Sequence, residues 1–342
     1  MMREFGAAGA FILAWFLAMA TLTVIGISVP NIAQRMTYWE TFNQYSPPIF
    51  SLLVALAFFV IYKSFGRPMF IFLLLVMILL ATTELGVDGW VTDLMTPAFG
   101  KYAGWLLVYT SAIMFVLRFF AGPIVHRISP LGLLATCAAL AAIALFMLSS
   151  VGSNVVLVIF AATLYGVGKS FFWPTTLGVV AEQFPKGGAL TLSAMGGMGM
   201  IAVGVLGGPF LGTLVDKRLD DNLQASAPAI HTQIARGQGE GYGMTYQTVD
   251  KAAVKKLSNT DQATYTKLEG DTKQGTLATF AILPTIMFVC YVALIIYFKS
   301  RGGYKVQELA MSADTSRPPS FPVGPGTMSG EMASGGVEGP VR

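Results

Sequence analysis

Eight apolar runs, each long enough to cross about 30 Å of hydrocarbon as a helix, leave this 342-residue chain few ways to fold. They are read near 8–29, 49–65, 69–95, 103–122, 131–150, 154–177, 189–215 and 277–298. In hydrocarbon every backbone N–H and C=O must be bonded within the protein, so runs of this kind form helices. A content of 54% hydrophobic against 12% charged residues and a mean hydropathy of +0.63 lie far outside a soluble globular domain. The expected fold class is all-α, a polytopic membrane helix bundle in a lipid bilayer.

Basic residues of the short loops set an expected orientation. Lys63, Arg67, Arg118, Arg127, Lys186, Lys299, Arg301 and Lys305 fall on one face of this layout, which the positive-inside rule makes cytoplasmic. Both termini then lie in the cytoplasm, and the chain is a multi-pass protein of the cell (inner or plasma) membrane. The chain divides into two transmembrane helices over 1–67, a six-helix bundle over 68–298 and a disordered cytoplasmic tail over 299–342, rich in Pro, Gly and Ser. An extracytoplasmic insertion, 217–275, interrupts the bundle. Its low hydrophobicity predicts a mobile or lightly folded loop, with a short helix around Asp250 to Leu268.

Net charge is +4, but no Lys/Arg cluster alternates with exposed aromatics, so no nucleic-acid partner is expected. Only two histidines occur, without a His-Glu-x-x-His or Gly-x-Ser-x-Gly pattern, which argues against metal and serine hydrolases. No enzyme activity, cofactor or metal is expected. Cys137 and Cys290 lie in apolar runs as small hydrophobes.

Within the third run stands Thr82-Thr83-Glu84-Leu85-Gly86-Val87-Asp88-Gly89-Trp90, with two carboxylates four residues apart and hence on one helix face. A charge near the bilayer centre costs at least roughly 3 kcal/mol on insertion scales, so such groups face a protein interior or a water path. Glu84 is the candidate proton carrier. Asp88, one turn outward, is either part of the path or solvated at its mouth, and Asp93 is further out still. Lys169, in the sixth run, is placed to neutralise Glu84 or hold an anionic solute. Trp90, Tyr165 and Trp173 are candidates to stack on a solute, or interface anchors. Pro174 is expected to kink the sixth helix. Gly204, Gly208 and Gly212, four apart, give the seventh helix a face for close packing.

The fourth run leads into Leu117-Arg118-Phe119-Phe120-Ala121-Gly122-Pro123-Ile124-Val125-His126-Arg127, and the sixth carries Gly166-Val167-Gly168-Lys169-Ser170-Phe171-Phe172-Trp173-Pro174 and then Ala181-Glu182-Gln183-Phe184-Pro185. The first resembles the cytoplasmic loop after helix eight of major facilitator superfamily transporters, the others their tenth helix and its exit. The resemblance covers 68–298 and implies the C-terminal half of that fold, two inverted three-helix repeats. It makes Arg118, Gly122, His126 and Arg127 a gating loop, although His126 stands where the family has Asp and Ser129 where it has a second Gly. The chain holds one six-helix bundle preceded by two helices, so a six-helix N-terminal half or a second copy is the implied partner. The implied function is secondary active transport of a small polar organic solute (sugar, nucleoside or organic anion) coupled to protons. The alternatives are a non-transporting membrane protein that uses 217–275 for partner binding or sensing, and an inactive transporter fragment.

Overall fold

The computed structural model describes residues 2–28, 39–122, 128–152 and 154–307. Eight of its helices are long and apolar enough to cross a membrane, and each overlaps one of the runs read from the sequence. The calls on His126, Arg127 and the tail beyond residue 307 lie outside the described residues.

Helices α1 (Met2–Ser28) and α2 (Trp39–Tyr62) lie side by side and are clipped to the start of the third span. The clip is backbone to backbone: the N–H of Ala7 donates to Ser64 (2.9 Å) and that of Arg67 to Glu4 (2.8 Å). Gly6 takes φ +63° there, and a Cβ on it would come within 1.9 Å of the Gly66 nitrogen. Glycine alone fits, because the left-handed region and the missing Cβ are both required.

The third span, α3 (Pro68–Ala81) and α4 (Val87–Phe99), is a single rod interrupted by a π-helical segment at Thr82–Gly86. It is the axis of the bundle, 72% buried in its most apolar stretch against 11–17% for α1, α2 and α5 (Ala103–Phe119), whose outer faces are left for lipid. Helix α6 (Pro130–Leu148) opens on Ser129, which accepts the Gly132 N–H. Helix α7 (Val155–Lys169) opens on Asn154, and after a break at Ser170–Phe171 the span resumes as α8 (Phe172–Gln183). The break lies ahead of Pro174, which sits in the first turn of α8, where its missing N–H costs no hydrogen bond within that helix. The kink expected at Pro174 is therefore a complete interruption upstream of it.

Helix α9 (Gly188–Ala202) passes through a second π segment (Val203–Phe210) into α10 (Leu211–Ser226). Gly208-Pro209 lies inside this rod. Wider π winding accommodates the proline, and the helix continues well past it.

Residues 217–275 are not a lightly folded loop. They complete a cap made of the outer part of α10, α11 (Pro228–Ile234), an antiparallel hairpin of β1 (Ala235–Gly241) and β2 (Met244–Val249), α12 (Lys251–Val254) and most of α13 (Asn259–Phe280). The expected helix over 250–268 is instead Asn259–Phe280, started by Ser258, whose side chain accepts the Asp261 N–H. Asp250 caps the short α12. Leu219, Leu223, Ile230, Ile234, Leu257 and Tyr265 form a core separate from that of the bundle. Few apolar residues suffice because α10, α11, α13 and the loop before α13 turn them onto one another, leaving each at most 9% exposed. Gln274 Nε2 ties the cap to the bundle through the carbonyls of Leu148 (3.0 Å) and Gly152 (3.1 Å), and α14 (Ile282–Ser300) runs back through the bundle.

Candidate functional site

Four charged side chains from three spans meet near the middle of the bundle. Lys169 ends α7 fully buried, and its Nζ lies 2.6 Å from both carboxylate oxygens of Asp88 on α4. The expected partner, Glu84, instead takes Arg118 from the end of α5, with Nη2 3.3 Å from Oε1. Each carboxylate thus has its own cation as ion-pair partner. Asp88 is thus ion-paired instead of solvated at a cavity mouth. Asp93 lies further out and pairs with Lys273 of the cap (3.2 Å), which also holds Glu269 (2.9 Å).

Glu84 is the less settled of the two carboxylates. Its residue is 3% exposed, yet among the described residues Oε2 is buried with no hydrogen-bond partner, although the Trp173 N–H lies near the carboxylate. Arg118 is 42% exposed along its side chain, so the pair is enclosed on the glutamate side and open on the arginine side. A carboxylate oxygen left without a partner in an apolar interior is costly.

Each helix irregularity around these charges frees a carbonyl, and each freed carbonyl receives a side-chain donor. In the first π segment the Val87 N–H turns to Thr82, and Thr83 accepts the Tyr165 hydroxyl instead (2.8 Å). The Ser170 carbonyl would bond residue 174 in an unbroken α-helix, but that residue is proline; Arg118 Nε donates to it (3.2 Å). Trp90 Nε1 donates to the Gly207 carbonyl in the second π segment (3.1 Å). This is how non-helical backbone is tolerated within a membrane protein.

The predicted site residues therefore separate by role. Glu84, Asp88 and Lys169 come together with Tyr165, whose ring lies 5.2 Å from the Lys169 ammonium. Trp90 is half-buried against the seventh span and Trp173 against Gly199, 2.9 Å from where a Cβ would stand; both pack between spans. Gly122 is exposed beyond the end of α5, and a Cβ on it would meet nothing within 4 Å. Arg118, placed by its neighbours in a loop, is the residue that sequence reasoning missed as a partner of Glu84. Its signal was Pro174, which leaves one carbonyl on the facing span in need of a donor.

The two π segments touch each other. A Cβ on Gly86 would lie 2.9 Å from the Gly207 Cα, and one on Gly207 3.0 Å from the Gly86 Cα. The close-packed face of the seventh span is thus Gly207 with Gly212, which lies against Trp90; a Cβ on Gly204 or Gly208 would meet nothing within 4 Å. The π turn shifts the register by one and moves contact from 208 to 207.

A polar cleft of about 490 Å³ opens in the cap, bordered by Lys217, Asp220, Gln224, Arg236 and Tyr246. Asp220 on its wall is fully engaged, accepting from His231 (2.7 Å), Gln224 (3.1 Å) and the Gln247 N–H (2.9 Å). Among the described residues no cluster of three His, Cys, Asp or Glu side chains is placed to hold a metal ion. No protein-family model, curated protein or solved structure matches the chain.

Proposed function

We propose that the chain is the C-terminal portion of a major-facilitator-type secondary transporter that couples movement of a small polar organic solute to protons. The observation that carries this reading is the Glu84 carboxylate, buried at mid-span with one oxygen unpartnered among the described residues and its ion-pair partner Arg118 on the open side. Glu84 is the proton carrier. Loss of its charge releases Arg118, and the released guanidinium is free to receive an anionic or hydroxyl-bearing group. Asp88 and Lys169 form a buried ion pair beside Glu84. Inverted three-helix repeats rock against a second six-helix half or a second copy of the chain, with both termini cytoplasmic.

The test is reconstitution, with whatever chain co-purifies, into liposomes carrying a proton gradient, and uptake of labelled sugars, nucleosides and organic anions. Gradient-driven uptake of one class is expected, with Glu84→Gln retaining exchange of that solute but losing the dependence on the gradient. Uptake that is equally gradient-dependent in Glu84→Gln would overturn the coupling role.

The folded cap favours a second reading, a non-transporting protein that binds a polar ligand in the 490 Å³ cleft. Under that reading, deletion of 228–257 abolishes function while Lys169→Ala leaves it intact; under the first, the dependence is reversed.

A further inference from the structure

The hairpin turn of the cap carries a residue that does not belong in it. Strands β1 and β2 are joined by two residues, Tyr242 and Gly243, with φ +52° and +74°. A two-residue turn with both central φ values positive calls for Asn, Asp or Gly at its first position, and a bulky aromatic held there is an outlier that points to a role. The Tyr242 hydroxyl donates to the carbonyl of Val205, inside the second π segment. In an α-helix that carbonyl would bond the N–H of residue 209, which is Pro209 and has none. The Tyr242 ring also meets Phe210 edge-on, 5.3 Å between centroids.

The rest of the hairpin is shaped to bring Tyr242 to this point. A Cβ on Gly241 would stand 2.9 Å from Thr213 Oγ1, so the strand lies flat on α10, and one on Gly239 would stand 2.7 Å from the Tyr246 ring that crosses it. Beyond Val205 the contact runs inward without a gap. Two residues on, Gly207 accepts Trp90 Nε1 and rests against Gly86, and Gly86 stands two residues from both Glu84 and Asp88.

We propose that the Tyr242–Gly243 turn is a clasp that holds the second π segment in its present winding from outside the membrane, and through the Gly207–Gly86 crossing sets the positions of Glu84 and Asp88. Tyr242 is then a positioning residue. The clasp is a backbone device, so it stands apart from the identity of any solute and goes beyond the transport reading.

Hydrogen–deuterium exchange on the full chain in lipid nanodiscs tests it. Tyr242→Phe removes the hydroxyl and keeps the ring against Phe210. Amide exchange is expected to accelerate about three- to tenfold, the loss of one hydrogen bond, in 203–212 and also in 82–90, with 130–148 unchanged. In a Pro209→Ala background, where the backbone regains a donor, the same change should fall within about twofold, since little is then left for the hydroxyl to supply. Acceleration confined to the hairpin, or reaching 203–212 but not 82–90, would overturn the proposal. So would equal acceleration in 130–148, the sign of a general anchor. Exchange reads backbone and not flux, so failure here leaves the transport reading standing, and failure of transport leaves the clasp standing.

Discussion

Lys169 and Asp88 are each other's ion-pair partner in an apolar interior. Removing one charge strands the other, which typically costs about 3–5 kcal/mol, whereas replacing both by apolar groups is often neutral. Lys169→Met alone should therefore lower the thermal midpoint in detergent sharply, and Lys169→Met with Asp88→Leu should recover most of it. Equal losses in single and double variants would show that Lys169 serves something other than Asp88. The candidates themselves were legible because a charge in an apolar run stands out against its neighbours. Their pairing was not, since it depends on how three separate spans are set against one another. Arg118 was hidden for a related reason: it closes its apolar run, and a basic residue there reads as a loop anchor until Ser170 is seen to lack a donor.

At the scale of the elements, the crossing of the two π segments makes glycine obligatory at two positions and optional at their neighbours. Gly86→Ala drives a Cβ to 2.9 Å from the Gly207 Cα, an overpacking that typically costs about 1–3 kcal/mol. Gly204→Ala enters open space, gaining helix propensity of up to about 1 kcal/mol. Thermal unfolding of the two variants should thus move in opposite directions, and a neutral Gly86→Ala would mean the rods are further apart than described. All eight spans were legible, because length and hydropathy define them. Their interruptions were not: nothing in the run 189–215 marks where its winding widens, and Pro174 reads as the centre of a kink that opens ahead of it. Proline marks where a helix must yield, but the facing elements decide whether it stops, breaks or widens.

For the molecule as a whole, two cores divide the stability. The bundle core is continuous from Phe70 to Phe298, while the cap relies on a handful of residues. Leu223→Ala, at 0% exposure, removes cap packing at a typical cost of about 2–5 kcal/mol. Limited proteolysis should then cut within 217–275 at far lower protease while the bundle fragments stay intact; cutting in both would mean a single cooperative unit. The cap escaped sequence reading because few apolar residues, spread over five short elements, leave no periodicity to see. The seventh span is what joins the two cores. From Phe210 the 16 residues of α10 continue the rod for about 24 Å, so any tilt at the glycine crossing is carried outward along that length. A tilt of about 10° there carries the far end through about 4 Å at a helical rise of 1.5 Å per residue. A displacement too small to follow among the buried charges is thus magnified outside the membrane, where a probe at Ala225 can read it as a distance.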